Sequence, residues 1–370
     1  MYFQIIDNNE KCLKAFVRNE LVDYEDSLQM TRTWRHSIHL KNRDNIEYAY
    51  LYTKDGDINT ACPGFVQESW EFSSNRISAL VKSAMNSKCD LENNCIYDFI
   101  PENFLRDFLS NKQAIIRHCI EDVKKPPHYD ILRKAHILTE EMNAKRNLYK
   151  GELKRTSYNI FGTKTGRLSN AKAEIPVLTL KKEDRHLLRP TNDFFLELDF
   201  NAAELRTLLA LSEKQQPDED IHEWTSQKLG LTREEVKKRT FAWLYNPEAS
   251  DSLLEGLYER NTVKDLYYDG TSIRTPFSRQ IETDSRRALN YIVQSTSSDI
   301  CIEQAFKLRD LFKDNETKIC YLMHDSVILD CKKEDKQKML EARRLFGDTR
   351  LGQYRVNMAI GKNFGEMDKI

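Results

Sequence analysis

The chain is poor in the residues that break regular structure: 12 Gly and 9 Pro in 370 residues, about half the usual share of turn formers. Helix is therefore expected to predominate. No apolar run approaches the roughly 20 residues needed to cross a bilayer, and mean hydropathy is -0.66, so no membrane partner is expected. There is also no excess of either charge, 57 Lys and Arg standing against 58 Asp and Glu for a net charge of -1. An indiscriminate coating of DNA is excluded, and any anionic ligand must be held by local basic patches. The eight cysteines, Cys12, Cys62, Cys89, Cys95, Cys119, Cys301, Cys320 and Cys331, include no C-x-x-C pair and no histidines at zinc spacing. They are expected as reduced thiols. The start, MYFQIIDNNEK, lacks the basic and then apolar layout of a signal peptide, so the cytoplasm, or that of an infected host, is the expected location.

A length of 370 residues suits two or three packed lobes. Residues 1–100 hold short runs rich in β-branched and aromatic side chains, YFQII and IEYAYLYT, with Lys54-Asp55-Gly56-Asp57 as a hairpin turn. This reads as a small α+β module. From Pro101 the pattern becomes helical, breaks at Pro126-Pro127 and resumes through YDILRKAHILTEEMNAKRNLYKGELKR, predicting two long antiparallel helices. Between Leu109 and Ser157 eleven Lys and Arg face six acids, a local +5. Such helices could lie along a phosphate backbone, although charge on an outer face is also what any solvated helix shows.

Three later segments carry chemistry. In FFLELDFNAAELRTLLALS an apolar strand runs into a helix with leucines on one side, leaving Asp199 at the strand end, where a rigid element can aim a carboxylate at a metal. ICYLMHDSVILD reads as a hairpin with Asp325 at its tip. Each acid alone is more often a turn former or helix cap. The third segment, TREEVKKRTFAWLYN, spaces Arg233, Lys237, Phe241 and Tyr245 four apart along one helical ridge that Thr232 can cap. Two cations followed by two aromatics could hold a polyphosphate at one end and a base at the other.

Motif by motif, the chain resembles the polymerase core of the family A DNA polymerases, the class of bacterial polymerase I and several phage replicative enzymes. TKTGRLS at Thr163–Ser169 is similar to the T-x-T-G-R-L-S signature, and DFNAAELR to motif A. Asp220-Ile221-His222 and the ridge are similar to the D-I-H and motif B of the fingers. RRALNYIVQSTSSDI is similar to the R-x-x-x-N-x-x-x-Q-G-T-A-A-D helix, and MHDSV to motif C. The resemblance covers roughly residues 158–370, with the motifs in family order. It departs at Ala202, where Gln is usual, at Asn246, where Gly is usual, and at Ser326, where motif C has Glu. The stretch from Tyr245 to Gly270 is also short for the family.

The resemblance implies a helix-rich α+β chain with a right-hand fold: residues 1–100 a small N-terminal module, 101–157 thumb helices, 158–212 palm with motif A, 213–285 fingers, and 286–370 palm with motif C. It implies template-directed addition of dNTPs to a primer 3′-hydroxyl, with two Mg2+ ions held by Asp199, Asp325 and the Phe200 carbonyl. Arg233, Lys237 and His222 would grip the triphosphate, with Lys237 as general acid toward pyrophosphate. Phe241 and Tyr245 would face the nucleotide, and Glu204 would exclude a 2′-hydroxyl. Arg167, Arg286, Asn290, Gln294 and His324 would contact primer and template. A proofreading exonuclease is not expected in the 100 residues available. Asp23-Tyr24-Glu25 matches a three-letter exonuclease motif of the kind that arises by chance, and residues 1–100 could instead dock a replisome partner. A single-subunit RNA polymerase, a catalytically idle nucleic-acid-binding protein and a gap-filling enzyme are the alternatives; Glu204 speaks against the first and the retained aspartates against the second.

Overall fold

Alternating burial along Phe194–Phe200 makes this strand the centre of a five-stranded antiparallel sheet. Ser326–Cys331 and then Lys318–Met323 lie on one side, Val356–Asn363 and then Glu366–Lys369 on the other. Period-two geometry sends Leu196, Leu198 and Phe200 to one face and Phe195, Glu197 and Asp199 to the other. Phe200 stacks on Phe346 at 4.2 Å between ring centroids, so the helix Lys338–Gly347 covers the first face. Phe195 packs with Tyr321, Ile328 and Phe364 in a separate core.

The computed structural model describes residues 2–4, 14–17, 19–23, 48–49, 51, 58, 61–90, 94–122, 124–170 and 175–370. Two compact units divide the chain, Met1–Pro126 and Pro127–Ile370, and the division falls inside the 101–157 stretch that the resemblance assigns to a thumb. The first unit contains a three-stranded antiparallel sheet, Tyr2–Gln4, Lys14–Val17 and Glu20–Asp23, and two long helices, Gly64–Asn86 and Glu102–Glu121. Trp70 and Phe108 stack at 5.2 Å to join those helices. The expected turn at Lys54–Asp57 lies outside the described residues, as do Tyr24 and Glu25. Of the IEYAYLYT run, read from sequence as strand-like, Tyr48, Ala49 and Leu51 are described and are helical. Aromatic enrichment in a short run does not by itself choose between strand and helix.

In the second unit the helix Ser285–Leu311, capped by the Asp284 side chain, packs against Tyr129–Asn143, Ala203–Leu211 and Lys338–Gly347. The second long helix expected from Tyr129 to Arg155 stops at Asn143, and Arg146–Tyr149 pairs with Glu152–Arg155 as a hairpin. Its turn is Lys150-Gly151, both at positive φ; Lys, Glu and Leu on either side favour helix, but a left-handed Gly turn closes a hairpin. Between Tyr245 and Gly270 lie two further helices, Ser252–Tyr258 and Arg260–Tyr267, anchored by buried Leu254, Tyr258 and Val263. Cys95 is disulfide-bonded, which corrects the expectation of eight reduced thiols, while Cys62, Cys89, Cys119, Cys301, Cys320 and Cys331 are free. Pairing depends on approach in space, which spacing along the chain does not display. No helix among the described residues is long and apolar enough to cross a membrane.

Candidate active site

The strand register brings the two expected acids together. Asp199 lies directly between Ser326 and Asn357 in the sheet, and Asn357 Nδ2 donates to Asp199 Oδ2 at 3.2 Å. Met323 pairs with Ser326, leaving His324-Asp325 as a two-residue tip with His324 at φ 55°. The Phe200 N–H donates to the Asp325 carbonyl at 3.3 Å, fastening that tip beside the strand that carries Asp199. Burial raises the carboxyls of both acids, and the neighbouring charge of Asp325 adds to the shift of Asp199, which reaches about 7. Like charges have been placed face to face in a partly dry setting.

Glu197, two residues before Asp199 on the same face, is a third acid that sequence reasoning passed over. Burial raises its carboxyl as well. Among the described residues no group of three or more His, Cys, Asp or Glu side chains is close enough to hold a metal. Two carboxylates with no ion-pair partner among the described residues nevertheless fit Mg2+, which is usually held by one or two carboxylates and completed by water and substrate phosphates. The Phe200 ring is buried in the core, so only its backbone could contribute.

Beside the acids a cleft of about 300 Å³ is lined by Arg167, Glu204, His222, Phe241, Tyr245 and Asp325, among others. Glu204 stands in the first turn of Ala203–Leu211, directly after Ala202 at φ 52°. Its two carboxylate oxygens accept from Arg167 Nη2 and from the Tyr245 hydroxyl. Burial and the Glu204 charge both raise the Tyr245 phenol. Phe241 is stacked between His222, at 6.4 Å, and Tyr245, at 5.7 Å, yet it is 46% exposed. Nearly half of the Phe241 surface is thus left open to a ligand. His222 is buried, which lowers its imidazole, and among the described residues its Nδ1 has no hydrogen-bond partner.

A polar chain fixes the cations relative to the acids. Arg206 is fully buried. Its guanidinium donates to the Asn201 carbonyl at 2.8 Å, to Asn201 Oδ1 at 3.1 Å, and to the carbonyls of Pro217 and Glu219, each at 2.8 Å. Asn201 Nδ2 donates to Asp220 Oδ2 at 2.8 Å, and Asp220 receives Arg233 through Nε at 3.1 Å and Nη2 at 2.9 Å. Burial alone would raise the Asp220 carboxyl, but hydrogen bonds from Arg233, Asn201 and the Glu223 N–H hold it well below the usual range. The ridge helix Arg233–Tyr245 opens with a capping box of Thr232 and Glu235. One turn beyond Arg233, Lys237 is exposed and has no ion pair among the described residues.

The other expected residues divide between the cleft and its surroundings. Arg167 and His324 line the cleft; Arg233, Lys237, Asp199, Arg286, Asn290 and Gln294 do not. Arg286 is exposed and pairs with Glu248 at 2.8 Å, whereas Asn290 and Gln294 are half-buried along Ser285–Leu311. Sequence reasoning missed Ser297, Ser298 and Thr240 in the cleft wall. It also missed the buried pair of Arg279 and Asp299, 2.7 Å apart, which fixes Gly166. At φ +77°, a Cβ there would lie 2.5 Å from the Arg279 guanidinium, so the glycine of TKTGRLS is a packing requirement.

No family model and no curated protein matches the chain. Among solved structures it is similar to the polymerase domain of Pol1 from M. smegmatis in complex with DNA primer-template and dNTP. The identity is 12% and the TM-score 0.48, over 80% of this chain. The likeness covers 66% of that chain's length.

Proposed function

We propose that the protein is a template-directed DNA polymerase that adds dNTPs to a primer 3′-hydroxyl, with residues 158–212 and 286–370 as palm and 213–285 as fingers. The observation that carries this reading is the meeting of Asp199 and Asp325, from two separate segments, at adjacent strand ends beside a cleft. Bound by these carboxylates, a pair of Mg2+ ions would supply the positive charge that in-line nucleotidyl transfer needs. The protein's own groups have the remaining tasks. Lys237 Nζ and the Arg233 nitrogen left outside its pair with Asp220 would grip the β and γ phosphates, with His222 beside them. Lys237 Nζ would also protonate the departing pyrophosphate. Phe241 would offer its exposed surface to the base, and the Glu204–Tyr245 contact would close the space that a 2′-hydroxyl would occupy. His324 and Arg167 stand where a primer terminus would reach the acids. Asn290, Gln294 and Arg286 would follow the duplex.

The test is extension of a primed template with Mg2+ and either dNTPs or NTPs. Extension is expected with dNTPs, and Asp199→Ala should lower it at least about a hundredfold, the scale at which loss of a charge-stabilising group is felt. Unchanged extension in that variant would remove the assigned site, and extension with NTPs alone would replace the deoxynucleotide assignment. A primer ending in a 3′ mismatch should persist undegraded, since no exonuclease is proposed.

A further inference from the structure

A second cleft, of about 370 Å³, opens where the helix Lys338–Gly347, the segment Gln353–Val356 and the loop Pro217–Asp218 meet. Three arginines line it, Arg343, Arg344 and Arg355, against a single acid, Asp218. Their hydrogen bonds position them without neutralising them. Arg343 Nε donates to the Val356 carbonyl at 3.1 Å, and Arg355 Nη1 donates to the Asp218 carbonyl at 2.8 Å. Arg344 is exposed. Among the described residues none of the three has a carboxylate ion pair. Arg206, buried behind the same loop, adds to the positive field: burial, and then Arg355, lower its guanidinium to about 10.

Three guanidinium groups converging on one opening repel one another unless an anion lies between them. The walls say which anion. Tyr354 lines the cleft but is 1% exposed, so no aromatic face is offered to a base. The rim instead carries Leu340, 62% exposed, an apolar surface that suits a sugar. A site with forks for phosphate and no stacking platform recognises a backbone and not a sequence. The cleft also begins close to the acids, for the Asn201 N–H, two residues after Asp199, donates to the Arg355 carbonyl at 3.0 Å.

We propose that this arginine cleft binds the phosphodiester backbone of a nucleic-acid strand, at a site separate from the one where nucleotide and primer terminus would meet the acids. The inference rests on the proposed function only for the expectation that the protein meets nucleic acid. Binding is read without turnover, so the two can fail separately.

The experiment uses the full chain and a fluorescent single-stranded thymidine oligonucleotide of about twenty residues, with anisotropy followed from about 50 to 200 mM salt. Tripolyphosphate binding is measured in parallel by calorimetry. Arg344→Glu, which disturbs no hydrogen bond, should weaken oligonucleotide binding about tenfold and lower the salt slope by about 1, with melting temperature and tripolyphosphate affinity unchanged. Arg344→Ala with Arg355→Lys, which keeps a cation at the second position, should fall between that variant and the parent. Oligonucleotide affinity and slope equal to the parent in both variants would overturn the proposal. So would loss of tripolyphosphate binding with the oligonucleotide unaffected, which would make the cleft a site for free polyphosphate. Asp199→Ala, expected to lose extension, should bind the oligonucleotide like the parent.

Discussion

Asp199 is held in a setting that the fold alone does not stabilise. Among the described residues the one side-chain donor to its carboxylate is the Asn357 amide, its flank is Ser326, and Asp325 and Glu197 both push its carboxyl upward once burial has done so. Ser326 is buried, with its hydroxyl donating to the Met323 carbonyl at 3.3 Å, and the carboxyl that its side chain lowers is that of Glu197, not that of Asp199. The turns on either side are strained too, with Ala202 and His324 at positive φ, a conformation that costs non-glycine residues about 1 kcal/mol or more. Replacing one repelling acid by its neutral isostere should therefore stabilise the metal-free protein. Asp199→Asn is expected to raise the melting temperature by about 3 °C, corresponding to on the order of 1 kcal/mol. Mg2+ should raise the melting temperature of the parent and leave that of the variant nearly unmoved. A variant that melts below the parent in chelator, or that gains as much from Mg2+, would show that the acids are not a paired cation site.

The ridge helix is held along its length by buried Val236, Trp243 and Leu244, and at its start by the polar chain Arg206, Asn201, Asp220 and Arg233. Asp220 has a folded-state pKa below its unfolded one. The stability it contributes is thus fully present above about pH 4 and is lost as pH falls through the lower folded value. Because the Arg233 guanidinium is 46% exposed, its part is about 1 kcal/mol at most. Thermal melts from pH 6 to about pH 2 should show the parent losing stability below pH 4 and Arg233→Gln losing less of it; parallel curves would mean that the pair is not coupled to folding. Much of this element was legible in the sequence. Thr232 announced the cap, and four-residue spacing announced the ridge, whereas the return contact from Glu235 was not read. Arg206 was not legible, because an arginine beside leucines on a short helix reads as a surface residue until the loop Gln216–Glu219 arrives to take its donors. Gly166 was hidden in the same way behind Arg279, and the helix Gly64–Asn86 behind its serines and asparagines.

The two acids, the cleft, the polar chain and the arginine cleft all lie within Pro127–Ile370. That unit has its own sheet, and its cores draw on residues from Tyr149 onward. The first unit has separate cores, around Trp70 and Ile115 and around Phe16 and Leu105. A chain that partitions its apolar contacts in this way should also partition its cooperativity, because each core repays its own chain entropy. The sequence signalled the break at Pro126-Pro127 and a helix on each side of it, but the family resemblance grouped both within the 101–157 stretch. A fragment comprising residues 127–370 is therefore expected to unfold in one cooperative transition. It should bind dNTP in the presence of Mg2+ within about threefold of the full chain, roughly 0.6 kcal/mol. Binding to a primed template is the property expected to weaken, if exposed Arg117 and Lys124 of the first unit contribute phosphate contacts; the salt slope would then be shallower in the fragment than in the full chain. A fragment that fails to melt cooperatively, or that loses dNTP binding while folded, would mean that the first unit completes the site.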